Sequence, residues 1–158
     1  MAQNSNPKPK QVQVDPATLM LDIDNPRLAQ QTGNKGERDV IQYLADECDL
    51  AEIVQSILAN GYYDFEPLIL LRETIKKKEV VIVIEGNRRV AAIKVIQDQK
   101  LARDVGIAVG EIPEPVLASL KKASAIFVES RDAARKYIGF KHINGPHKWD
   151  SFAKARFA

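Results

Sequence analysis

Two hydrophobic periods alternate along this chain, and the switches between them predict its elements. Val12 and Val14 alternate with polar neighbours, and Leu19 to Ile23 is a second short apolar stretch, so one or two edge strands are expected there. Val40, Ile41, Leu44, Ala45 and Cys48 then recur at helical spacing, and Leu50, Ile53, Val54, Ile57 and Leu58 form a second stripe directly after. Asp49, with Glu52 three residues on, has the form of a capping arrangement between these helices, and Asn60-Gly61 supplies a left-handed stop. Leu68 to Leu71 reads as a short strand, and a charged hairpin loop from Glu73 to Glu79 follows. Val80 to Ile84 is an unbroken β-branched run, the pattern of a strand buried on both faces. Gly86 turns the chain, and Val90, Ile93 and Ile96 lay one apolar stripe along a helix that ends near Lys100.

Farther on the periods are weaker. Val105 to Ile112 is broken by glycine and fits no single template, while Pro113 and Pro115 stand at or before the start of a short helix, Val116 to Lys122. Ala125 to Val128 reads as a buried strand, and Arg131 to Ile138 as a helix with Gly139 as its stop. Lys141 to Lys148 is a basic loop that holds both histidines. Trp149, Phe152, Ala153 and Phe157 make a last apolar stripe with no glycine or proline stop, as if the chain were cut from something longer. Met1 to Lys10 has no period and reads as a disordered tail. The expected organisation is a tail over 1–10, one domain over 11–131 and a helical extension over 132–158. The expected class is α+β, a compact single domain with a small mixed sheet flanked by helices.

Composition narrows the partners. A chain of 158 residues, 45% hydrophobic and 28% charged, is one domain's worth of core. Its net charge of +2 confines any nucleic-acid contact to a local patch. The single cysteine, Cys48, excludes an internal disulfide framework and fits a reducing cytoplasm; its place on an apolar stripe marks it as a core residue rather than a nucleophile. No apolar run reaches membrane-spanning length, so a soluble cytoplasmic protein with no membrane partner is expected.

The candidate chemistry begins at the turn. Arg88 and Arg89 fall at the start of the helix after Gly86, where free N–H groups and the dipole already make the backbone positive. Two guanidinium groups there are unfavourable unless something negative sits among them, and a phosphate would satisfy all of these donors at once. Glu85 as counter-ion, or simple solvation of both arginines, is the rival reading. The pattern is neither a Walker loop nor a dinucleotide fingerprint. Arg27 leaves the Asp24-Asn25-Pro26 turn either as a second phosphate ligand or as an exposed turn arginine. Glu129-Ser130-Arg131 fits both an active-site rim and a helix cap with a charge pair, with the cap the safer role for Ser130. His142 and His147 are separated across Gly-Pro and do not share a helix face as zinc ligands would; an anion met by Lys141, His142 or Lys148 is the minority reading of that loop. The aromatics of Tyr62-Tyr63-Asp64-Phe65 suit either base stacking or packing over the core edge, the commoner fate. Lys76-Lys77-Lys78 is ordinarily a solvated loop.

Four signals in order resemble a known arrangement: a strand ending in Asn25-Pro26-Arg27, a helix ending in Ser56-Ile57-Leu58-Ala59-Asn60-Gly61, the strand Glu66-Pro67-Leu68-Ile69, and Ile84-Glu85-Gly86-Asn87-Arg88-Arg89-Val90. Together they resemble the N-terminal domain of the ParB/sulfiredoxin superfamily over roughly residues 12 to 131. That resemblance implies an α+β domain binding CTP or ATP with Mg2+ and hydrolysing it slowly, in a DNA-associated protein. It implies Gly86, Asn87, Arg88 and Arg89 as the phosphate turn, Arg27 as a clamp, and Glu129 as the catalytic and metal-binding counterpart of the family's second motif. Arg131 and His142 complete the candidate phosphate ligands, and Glu85 is a second candidate for the metal. The chain departs from the pattern at Asn87, where partition proteins carry an acid and sulfiredoxins a cysteine, and at Ser130-Arg131, where partition proteins continue with asparagine and a later arginine. The rival functions are a metal-dependent nuclease using Glu85, Glu129, Asp22 or Asp24, and a non-enzymatic DNA-binding adaptor. Partners compatible with the pattern are a nucleotide, DNA and a second copy of the chain as a homodimer.

Overall fold

The computed structural model describes residues 9–25, 28 and 36–144, with side chains as far as residue 139. Strand β1 (Gln11–Val14) leads through a 3₁₀ turn, Pro16–Thr18, whose cap is the Asp15 carboxylate accepting from Ala17 N–H, into β2 (Met20–Leu21). Helices α1 (Glu37–Glu47) and α2 (Leu50–Asn60) precede the hairpin β3 (Leu68–Ile75) and β4 (Lys78–Glu85). Helices α3 (Asn87–Gln97), α4 (Gln99–Val105) and α5 (Glu114–Ser119) lead to β5 (Ala123–Val128) and α6 (Arg131–Asn144). The five strands form a sheet in the order β1-β5-β3-β4-β2. It is mixed: β2 runs parallel to β4, while β3 with β4 and β1 with β5 are antiparallel. The class is α+β, and the two N-terminal strands are edges as their short alternating pattern implies. The chain divides into two units, one through Phe127 and one from Val128 onward.

Helix α3 is the centre of the first unit. Val90, Ala91, Ala92, Ile93, Val95 and Ile96 are all buried, so it shows more than the single stripe expected. The alanines explain the difference, because small apolar residues between the larger ones let neighbours close over most of the surface. α3 packs against α1, α2, α4 and β2. A polar strap crosses this packing: the Glu37 carboxylate accepts from Leu21 N–H at 2.9 Å and pairs with Lys94 Nζ at 3.0 Å. It therefore ties α1, β2 and α3 together and satisfies an edge-strand donor.

Several boundaries differ from the sequence reading. The Val80 strand is fully buried only at Ile82 and Val83, because β2 covers those two positions and no more. β3 is twice the expected length, since the charged residues after Leu71 continue the ladder as far as Ile75. The hairpin turn is therefore only Lys76-Lys77, both at positive φ (50° and 65°), as a two-residue primed turn demands. Beyond α3 the chain starts a new helix, α4, on the Asp98 side chain, which accepts from Leu101 N–H. Gly106 ends α4 in a left-handed stop, its N–H donating to Arg103 O and that of Ile107 to Ala102 O. At the α1–α2 junction Asp49 is itself left-handed (φ 54°) and makes no side-chain cap bond, so the expected capping arrangement does not form. Gly61 closes α2 at φ 81° as expected.

In the second unit Ser130 Oγ accepts from Ala133 N–H, the cap role, and Asp132 pairs with Lys136 one turn on. α6 runs through Gly139 to Asn144, so that glycine is not its stop; one interior glycine costs a helix only about 1 kcal/mol. The expected tail over 1–10 and the last apolar stripe lie outside the described residues, apart from residues 9 and 10. Among the described residues no helix is long and apolar enough to cross a membrane.

Candidate functional site

The end of β4 is shaped by a bulge. Ile69 stands opposite Glu85 while Leu70 stands opposite Val83, which leaves Ile84 as an extra residue. In a regular strand Ile84 and Glu85 would point to opposite faces. Here both line one cavity of about 500 Å³. The next residue, Gly86, takes φ +105°, a left-handed backbone, and a Cβ there would overlap Leu68 Cδ2 and lie 3.1 Å from Arg89 Nη2. Only glycine fits that corner. α3 starts directly after it with no side-chain cap bond at Gly86 and no acidic residue in its first turn.

The three residues after the glycine do different things. The Asn87 side chain is committed to backbone: its Oδ1 accepts from Asp22 N–H at 3.0 Å and its Nδ2 donates to Val83 O at 2.9 Å. It therefore staples the end of β2 to the turn, and what it can offer an anion is its backbone N–H. Arg89 is half-buried and its Nη1 donates to Glu66 O and, at 3.5 Å, to the Tyr62 hydroxyl. Arg88 is exposed and makes no ion pair among the described residues. Gly86, Asn87, Arg88 and Arg89 all line the 500 Å³ cavity, so both guanidinium-bearing residues border one concavity rather than unrelated patches of surface. Tyr62 is largely desolvated, and burial pushes its pKa above the ordinary 10.0 although the Arg89 charge acts to lower it.

Opposite the turn, Tyr43, Cys48, Ile53 and Glu66 complete the wall. Cys48 packs on the core as expected, yet it is only half-buried because α1 ends there. Sequence reasoning placed neither Glu66 nor Tyr43 in a site. The bulge that brings in Ile84 has no sequence mark at all, since Val80 to Ile84 is an unbroken run of one residue class.

The remaining candidates are placed as follows. Arg27 lies outside the described residues. Glu129, exposed, and Arg131, half-buried at the start of α6, belong to the second unit. His142 falls on α6 rather than in the expected loop, its side chain outside the described ones. Asp22 is buried beside the Asn87 staple and Asp24 is exposed. Among the described residues no three His, Cys, Asp or Glu side chains gather as a metal would need. The lysine turn is at the far end of β3 and β4 from Gly86, roughly 25 Å away by the rise of an eight-residue strand.

The link between α2 and β3 also differs from expectation. Tyr63 is 60% and Phe65 85% exposed, so neither covers the core edge. Their rings are stacked, with centroids 5.4 Å apart and planes within 5°. The residues between and beside them are bonded to other elements. Tyr62 N–H donates to Ser119 Oγ, Asp64 accepts from both the N–H and the hydroxyl of Ser124, and Glu66 O accepts from Arg89. A second cavity, of about 280 Å³ and mainly apolar, lies between α2 and this loop, and it shares Ile53 and Arg89 with the first. No family model, no curated protein and no solved structure matches this chain.

Proposed function

We propose that the cavity at the start of α3 binds the phosphates of a nucleotide. The observation that carries this is Arg88: it is exposed, makes no ion pair among the described residues, and stands in the first turn of an eleven-residue helix with no acid or side-chain cap there, beside a second arginine on the same cavity wall. Such a place concentrates positive potential at the helix end and draws an anion to it. A triphosphate supplies that anion, with Arg88 as a bidentate ligand and the Asn87 and Arg88 N–H groups as further donors. Arg89, held on Glu66 O, lends its charge from a fixed position. This is the arrangement that the resemblance to the ParB/sulfiredoxin superfamily implies.

Mg2+ fits the same wall. This ion is commonly held by one or two carboxylates together with substrate phosphates, and Glu85 and Glu66 both line the cavity. Bound there it would neutralise phosphate charge. Slow hydrolysis and association with DNA complete the proposal on the strength of the resemblance.

The test is calorimetry with each ribonucleoside triphosphate, with and without Mg2+. Arg88→Ala should lower affinity at least tenfold while the urea midpoint stays put, since an exposed side chain without partners contributes within about 0.5 kcal/mol to folding. Equal affinity of wild type and Arg88→Ala would sink the reading.

A further inference from the structure

The outward-facing aromatic pair calls for a reason. An exposed Phe and Tyr each leave apolar surface in water, and ordinary loops turn such rings onto the core. Here the backbone prevents that turn. Asp64 accepts from Ser124, Tyr62 N–H donates to Ser119 and Glu66 O accepts from Arg89, so the loop is anchored on both sides of each ring while Tyr63 and Phe65 stay exposed. The rings are held out, not left out. Tyr63 also forms one wall of the 280 Å³ cavity, whose other walls include Ile53, Ile57 and Arg89.

We infer that this second cavity is the base subsite of the nucleotide, the base stacking on Tyr63 with Phe65 buttressing the ring from behind. The inference rests on the phosphate reading given above and names the part of the ligand that reading leaves open. Two features select a base over other apolar groups. The cavity meets the phosphate cavity at Ile53 and Arg89, so one ligand with an anionic end and a flat apolar end spans both. And an aromatic face is sequence-tolerant, since every base has a π-face to offer. Tyr62 lines the second cavity, and its hydroxyl accepts from Arg89, which borders both. A ligand that threads past it takes its phosphates to the turn and its base to the loop.

The two readings separate in one experiment, in which tripolyphosphate and the ribonucleoside triphosphates are titrated into wild type, Tyr63→Ala and Tyr63→Phe. Wild type should bind the best nucleoside triphosphate more tightly than tripolyphosphate. Tyr63→Ala should weaken the nucleotide roughly five- to a hundredfold, the range for losing one stacked base, and leave tripolyphosphate unchanged, which also shows that the variant is folded. Tyr63→Phe should restore the nucleotide affinity, because the stacking face is kept. Equal affinities of Tyr63→Ala and wild type for the nucleotide overturn the base subsite and leave the phosphate site standing. A loss confined to a single-stranded oligonucleotide, with mononucleotides unaffected, overturns it too and assigns the aromatic pair to a polymer. Failure of wild type to bind either tripolyphosphate or nucleotide removes both readings.

Discussion

Gly86→Ala separates the cost of a backbone from the cost of a contact. At φ +105° an added Cβ meets two penalties. The first is the left-handed backbone, about 1–2 kcal/mol for a residue other than glycine. The second is overlap with Leu68, a fully buried side chain behind the turn, and forcing extra volume into a packed core costs about 1–3 kcal/mol. Gly106 supplies the control. Its φ is +79° and a Cβ there would meet nothing within 4 Å, so Gly106→Ala carries the backbone penalty alone. Urea unfolding of the two variants should therefore show Gly106→Ala down by about 1–2 kcal/mol and Gly86→Ala by about 2–5 kcal/mol. Against a typical domain stability of about 5–15 kcal/mol the larger loss is still measurable as a shifted midpoint rather than an unfolded chain. If the two losses agree within about 0.5 kcal/mol, Leu68 yields freely and the close approach does not shape the turn. The substitution also reads out function, because the same Cβ lies 3.1 Å from Arg89 Nη2 and should displace that guanidinium from the cavity.

Three further outcomes follow from other parts of the site. Cys48 is the only cysteine and lines the phosphate cavity, so a saturating triphosphate should slow its alkylation several-fold, followed by mass spectrometry; an unchanged rate would place the ligand elsewhere. Burial raises the Tyr62 pKa above 10.0, so the folded state holds that proton more tightly than the unfolded chain does. The resulting stability is whole below pH 10 and is lost as pH rises through the folded pKa, and Tyr62→Phe should flatten that decline in alkaline urea melts. In the lysine turn, Lys76→Asn with Lys77→Gly should stabilise the hairpin by roughly 1–2 kcal/mol, as both central positions have positive φ; a neutral result would show the lysines held there at no cost.

Much of the scaffold is legible in the residues. Helices α1 and α2 follow from two clean stripes, and Asn60-Gly61 ends the second where it should. The turn at Gly86 is legible too, because a glycine between a β-branched run and a helical stripe has few other uses. The illegible parts share a cause: they are set by partners distant in sequence. Ile84 becomes a bulge only because Leu70 pairs with Val83, and the Asn87 side chain is withheld from an anion only because Asp22 N–H arrives from an edge strand. Asp49 fails as a cap through its own left-handed backbone, which the short link from α1 imposes. α4 was legible in principle, since Asp98, Leu101, Ala102, Val105 and Gly106 are a cap, a stripe and a stop, but it hides behind a longer apolar helix. Tyr63 and Phe65 went against the usual fate of aromatics, and here the deciding bonds are those of Asp64 and Glu66, one of them to a residue sixty positions away.

These same long-range bonds determine how the turn would respond to a ligand. Asn87 is bonded to β2 and β4, Glu37 joins β2 to α1 and α3, and Arg89 is tied to the α2–β3 loop. The turn, β2, α1 and the α2–β3 loop are thus fastened by polar bonds that need no anion to form. A site held in this way avoids most of the ordering cost of binding, which otherwise offsets the gain from each new contact. The mobile partner in the encounter is then Arg88, a long exposed side chain whose rotamers are restricted only when phosphate arrives. Replacing it by lysine keeps the charge and the freedom but loses the planar fork, so any affinity that Arg88→Lys fails to retain measures the bidentate geometry alone.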